Sequence, residues 1–228
     1  MPEINKTLLD KLNAGREYRQ INFSKLELRN AENEMVVEGY AATFDQAYEL
    51  YRWDDYIVNE QISGRAFDEC DMCDVIFQYN HSGRVMARTR NKTLELSTDN
   101  HGLKIRADLS GTETGRQLYE EIKGGYIDRM SFGFIVGEDK REITENRETG
   151  VTTVLRTITK FTKLYDVSAV SFPANEDTEI SARQFGEGVI AEAKEQERLA
   201  AEERQKRERL KGEIRQLLSS KKGDKKNA

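Results

Sequence analysis

Among its 228 residues the chain has only two cysteines, two histidines and one tryptophan. No run of about 18 consecutive apolar residues occurs, so neither a membrane span nor a secretory leader is visible, and the expectation is a chain that stays in a cytoplasm. Two cysteines cannot build a disulfide framework. They stand as Cys70-Asp-Met-Cys73, a spacing that suits half a zinc site or a redox pair. A structural zinc needs two further ligands, however, and the only histidines are His81 and His101. No metal is expected, and the two thiols read as reduced and structural. Positive charge is also scarce in the body of the chain. Residues 1–185 carry 24 Lys and Arg against 32 Asp and Glu, which argues against a nucleic-acid surface, because phosphate binding needs a basic patch.

A chain of this length buries a core, and one domain with appended arms is the simplest organisation. Residues 1–20, with Leu8, Leu9 and Leu12 among charges, read as an amphipathic N-terminal arm. Residues 21–185 read as the body. Leu26 and Leu28 alternate with charges and lead through a turn at 30–34 to an apolar run at 35–44, which predicts a hairpin. Residues 64–73 read as a helix with Ala66 and Phe67 inward, followed by a strand at 75–79 that ends at Asn80-His81-Ser82-Gly83. Alternation at Leu94 and Leu96, and again from Leu103 to Leu109, predicts a second hairpin around Asp99-Asn-His-Gly102. Leu118 and Ile122 lie four apart in a helix closed by Gly124-Gly125. Strands follow at 130–136 and 151–163, with the last at 164–170. Many short strands with few helices predict a mainly β fold with flanking helices, closed or nearly closed as an antiparallel barrel. Residues 186–228 form a charged helical tail, apolar on one face at Leu210, Ile214, Leu217 and Leu218.

The body offers one set of side chains suited to nucleophilic chemistry. Ser131 lies in the apolar strand between Met130 and Phe132. A serine hydroxyl needs a base, and the base needs a group to fix its tautomer. His81, at a strand end, is a better base than His101, which sits in a turn where histidine is tolerated for backbone reasons. Asp166, inside an apolar strand, is a carboxylate whose burial demands a partner. The same residues also suit a packed strand serine, a satisfied core histidine and a carboxylate paired with an arginine. Composition and spacing leave open a non-catalytic β-barrel assembly module and a hydrolase of small esters or amides.

In chain order stand Glu-Gly-Tyr-Ala-Ala-Thr-Phe at 38–44, Ile-Ser-Gly-Arg-Ala-Phe-Asp at 62–68, Asn-His at 80–81 and Gly-Leu at 102–103. Gly-Gly-Tyr-Ile-Asp-Arg-Met-Ser-Phe-Gly-Phe at 124–134 and Leu-Tyr-Asp-Val-Ser-Ala-Val-Ser-Phe-Pro-Ala at 164–174 complete the set. In these motifs residues 21–181 resemble the prohead (capsid maturation) proteases of tailed bacteriophages with HK97-type capsids. The resemblance implies a serine endopeptidase with a herpesvirus-protease-like antiparallel β-barrel and no metal or organic cofactor. By motif it makes Ser131 the nucleophile and His81 the base. It puts Asp166 third, with His101 the rival, since the herpesvirus enzymes use a second histidine there. Phe132 and Gly133 are candidate oxyanion donors. The implied partners are the major capsid protein with its scaffolding region, and the chain itself through autoproteolysis; nucleic acid and membrane are not among them. A homodimer like that of the herpesvirus enzymes is left open. The implied setting is the assembling prohead in the cytoplasm of a bacterial host.

Overall fold

The structure is a computed structural model that describes residues 15–28, 34–171 and 176–223. Most of the N-terminal arm, and all but Glu34 of the turn expected at 30–34, therefore lie outside the described residues. Ten strands build the body: β1 (Glu17–Leu28), β2 (Val36–Thr43), β3 (Tyr48–Trp53), β4 (Tyr56–Ile62), β5 (Ile76–Tyr79), β6 (Ser82–Arg88), β7 (Leu94–Thr98), β8 (Gly102–Asp108), β9 (Arg129–Glu145) and β10 (Thr152–Val170). Two helices are described, α1 (Glu113–Lys123) and α2 (Glu176–Gly223). The chain divides into two compact units, residues 1–186 and 187–228. None of the described helices is long and apolar enough to cross a membrane.

The expected closed antiparallel barrel does not form. The main path of the sheet runs β3-β4-β10-β9-β1-β2-β8-β7, with β5 and β6 attached beside β10, so β3 and β7 are open ends. The pairing is mixed as well. β10 is nineteen residues long and is antiparallel to β9 over nearly all of its length. On its other side it has two parallel neighbours, β4 along 152–158 and β5 along 166–169. Neither parallel neighbour is long enough to cover that side of the strand, and the sheet branches there instead of closing.

Three further segments depart from the sequence reading. Residues 64–69 are a series of turns, not a helix, although Ala66 and Phe67 are buried as expected. The runs 151–163 and 164–170 form the single strand β10. Residues 17–20, read as the end of the arm, are the first residues of β1.

One face of the sheet carries the core. Phe67 packs on Phe161 at 4.4 Å between ring centroids, and Phe134 lies 4.8 Å from Phe161 and 4.7 Å from Phe132. α1 contributes Leu118, Tyr119 and Ile122 from one side, as its three- and four-residue spacing dictates. Its first turn is capped by Thr112, whose hydroxyl accepts the Gly115 N–H at 2.9 Å. In the second unit, charge pairs one turn apart support α2, among them Arg198–Glu195 at 2.7 Å and Arg209–Glu213 at 3.1 Å, while Leu199, Leu210 and Ile214 are exposed.

Candidate active site

Because β9 alternates, Met130, Phe132 and Phe134 enter the core while Ser131 and Gly133 face the other way. Asp166 and Ser168 of β10 stand opposite Gly133 and Ser131. An irregularity in pairing between Leu164 and Asp166 sets this phase: Tyr165 is an extra residue in β10. Leu164 and Val167 both belong to the core although three residues apart, which strict alternation forbids. The bulge therefore turns Asp166 onto the Ser131 face.

His81 arrives from β5. β5 runs parallel to β10 with Tyr79 in register with Ala169, and the two-residue turn Asn80-His81 then leads into β6. Both turn residues have positive φ, 48° and 55°, as the tight primed hairpin turn requires. Glycine usually takes the second position, so a histidine there is strained. Asn80 secures the turn: its N–H donates to Ala169 O at 3.0 Å and its side-chain carbonyl accepts the Ser171 N–H at 3.2 Å.

The result is a continuous relay. His81 Nε2 lies 2.6 Å from Ser131 Oγ, and His81 Nδ1 lies 2.5 Å from Asp166 Oδ1. The Ser168 hydroxyl donates to the same carboxylate oxygen at 3.0 Å. Burial alone would raise the Asp166 carboxyl, but the neighbouring imidazole and the bonds from His81 and Ser168 outweigh it and hold the group below its ordinary value. Gly133 makes room for the assembly, since a Cβ there would stand 2.6 Å from Asp166 Oδ2 and 2.8 Å from the Tyr18 ring.

The site is covered. Ser131 is 0% exposed and His81 2%. Residues 17–20 of β1 pair with β9 in the order Glu17 to Phe134, Tyr18 to Gly133, Arg19 to Phe132 and Gln20 to Ser131. The Tyr18 ring lies 4.5 Å from the imidazole. The Ser131 hydroxyl donates to the Arg19 carbonyl oxygen at 2.9 Å, so its single proton has two acceptors within reach. The Arg19 side chain extends into a buried charged cluster. Its guanidinium binds Glu60 at 2.7 and 3.1 Å and Glu17 at 2.5 Å. Arg156 joins Glu60 at 2.8 Å, Glu17 at 2.9 Å and Asp139 at 2.7 Å, with the Phe185 ring 3.8 Å away. Burial would raise the Glu60 carboxyl, but Arg19 and Arg156 keep it below its ordinary value.

The structure thus brings Ser131, His81 and Asp166 together and leaves His101 elsewhere. His101 sits in the β7–β8 turn with its ring against Tyr40, and its N–H donates to Asp99. Phe132 and Gly133 lie inside the ladder with β1 on one side and β10 on the other. Successive strand residues aim their N–H groups to opposite sides, so one of the two faces β1 and the other β10. Cys70 and Cys73 are free thiols; Cys70 is half-buried, which pushes its thiol up to about 11. Among the described residues no group of three or more His, Cys, Asp or Glu side chains is placed to hold a metal ion. Tyr18, Asn80 and Ser168 were not singled out from sequence. Only Asn80 had a visible signal, as an asparagine at a turn between two strands.

A serine, a histidine and a carboxylate joined in line form the relay by which serine hydrolases activate a hydroxyl. The sequence profile of the caudovirus prohead serine proteases matches residues 23–189, and the chain belongs to that family. None of the curated proteins matches it. Among solved structures it is similar to the bacteriophage T4 capsid assembly protease, gp21, at 13% identity, with 68% of this chain and 98% of that chain covered and a TM-score of 0.39.

Proposed function

We propose that the chain is a serine endopeptidase of capsid maturation in which Ser131 is the nucleophile, His81 the general base and acid, and Asp166 the group that orients and stabilises the imidazolium. The observation that carries this is the Ser131–His81–Asp166 relay, with contacts of 2.6 and 2.5 Å, in a member of the prohead protease family. With Nδ1–H donated to Asp166, Nε2 is free to take the serine proton as Oγ attacks a peptide carbonyl. His81 then protonates the leaving amine, and water resolves the acyl-enzyme by the same route in reverse. The oxyanion is held by backbone N–H groups, with Phe132 and Gly133 the candidates next to the nucleophile. The substrates are the scaffolding part of the major capsid protein and the chain itself, inside the assembling prohead of a bacterial host. Residues 187–228, with their charged surface and exposed Leu199, Leu210 and Ile214, hold the enzyme to a helical scaffold.

Co-expression with the capsid protein tests the reading. The capsid protein loses its scaffolding part beside the wild-type chain and keeps it beside Ser131→Ala. Equal processing by a folded Ser131→Ala chain would overturn the assignment and favour a non-catalytic assembly module.

A further inference from the structure

The start of β1 is built unlike a permanent wall of the site. Pairing with β9 is regular from Glu17 to Gln20 and then irregular until Lys25, while Leu26 to Leu28 pair with β2. The part over the nucleophile is thus set apart from the part that holds the sheet together. The family match begins only at residue 23. The Gln20 side-chain oxygen is buried without a hydrogen-bond partner, a deficit it shares among the described residues only with the Thr43 hydroxyl, and one that weakens the hold of the segment.

We infer that residues 17–20 are a built-in occupant of the substrate track, and that the pocket holding the Arg19 side chain receives a basic side chain of a peptide substrate. The inference rests on the peptidase reading above. The segment lies as an extended strand against β9, the usual way for a sheet edge to take a peptide. The Arg19 carbonyl oxygen lies 2.9 Å from Ser131 Oγ and draws the hydroxyl proton away from His81. The Arg19 side chain alternates to the far face, where Glu60, 0% exposed, and the Tyr48 hydroxyl await it. When the segment leaves, Glu17 and Arg19 depart together. Glu60 then loses both contacts from Arg19 and keeps only Arg156 and the Tyr48 hydroxyl, while Asp139 keeps Arg156 and Arg141. A fully buried carboxylate stripped of one of its two guanidinium partners is costly, so the vacated pocket selects a cation. Departure also frees the β9 N–H groups that face β1, next to the nucleophile.

The test uses the full chain and a fluorophosphonate probe, with the rate of Ser131 labelling read by mass and amide hydrogen exchange read in parallel. Wild type and Arg19→Lys label slowly. Arg19→Ala exchanges residues 17–20 faster than 26–28 and labels at least about tenfold faster, since removing one partner of a buried ion pair is worth several kcal/mol. Tyr18→Ala, which leaves the charged cluster whole, gives the same acceleration should Arg19→Ala melt. A synthetic peptide of residues 14–22 slows labelling of Arg19→Ala again, and the same peptide with Arg19→Glu does not. Equal labelling of wild type and both variants, or unchanged exchange at 17–20, overturns the inference and leaves the peptidase reading standing. Equal protection by the two peptides overturns the basic pocket. Absence of label on Ser131 once exchange shows residues 17–20 open defeats the peptidase reading and this inference with it.

Discussion

At the scale of single residues, the account turns on how a buried carboxylate is kept ionised. Asp166 is nearly enclosed, yet His81 and the Ser168 hydroxyl hold its carboxyl below the ordinary value. A depressed folded-state value contributes stability above the ordinary carboxylate pKa of about 4, and that contribution is lost as pH falls through the folded value. Ser168→Ala removes one hydrogen bond to a charged group, worth about 1.5–3 kcal/mol, and lets the carboxyl rise. In melting curves from neutral pH down into the acid range, the variant is expected to melt lower at neutral pH and to lose less further stability on acidification, because its folded and unfolded carboxyl values lie closer together. Superimposable curves would remove Ser168 from its role. The relay residues were legible because each is a polar side chain in an apolar strand or at a strand end, where burial without a partner is costly. Tyr18 and Arg19 were not: in sequence they belong to a charged arm, and a buried arginine is visible only through Glu60, 41 residues away.

At the scale of elements, most strands and both helices were legible from periodicity, and the joints between them were not. The bulge at Tyr165 adds one residue whose effect is to shift phase, and no composition signal marks it. The parallel neighbours of β10 depend on contacts distant in sequence, which is why an antiparallel barrel was expected where a branched sheet forms. Residues 64–69 carry helix-like apolar spacing, but their inward side chains are served equally well by turns. Phe161 joins these pieces, touching the rings of both Phe67 and Phe134. Phe161→Ala is expected to cost about 3–5 kcal/mol, read as a lowered denaturant midpoint. A loss under 1 kcal/mol would mean that this cluster is not the centre of the core. At α1, Thr112→Ala is expected to cost about 1 kcal/mol through the lost cap, measured the same way.

At the scale of the whole molecule, the chain separates into a unit that carries the relay, residues 1–186, and a second unit, 187–228. Ser131, His81 and Asp166 all lie in the first unit, so a chain ending at Gly186 is expected to cleave peptides at the wild-type rate and to be lost from proheads. Retention in proheads would sink the anchoring role of the tail. The central claim is covalent: Ser131 carries the acyl group of the substrate. The measurement that tests it most directly is acid quenching of the enzyme with capsid precursor during turnover, followed by mass mapping of the tryptic peptide 130–140, which contains Ser131 as its only hydroxyl residue. The account predicts an acyl adduct on that peptide, absent from Ser131→Ala and His81→Ala. Turnover of the precursor with no adduct there, continuing in Ser131→Ala, would contradict it.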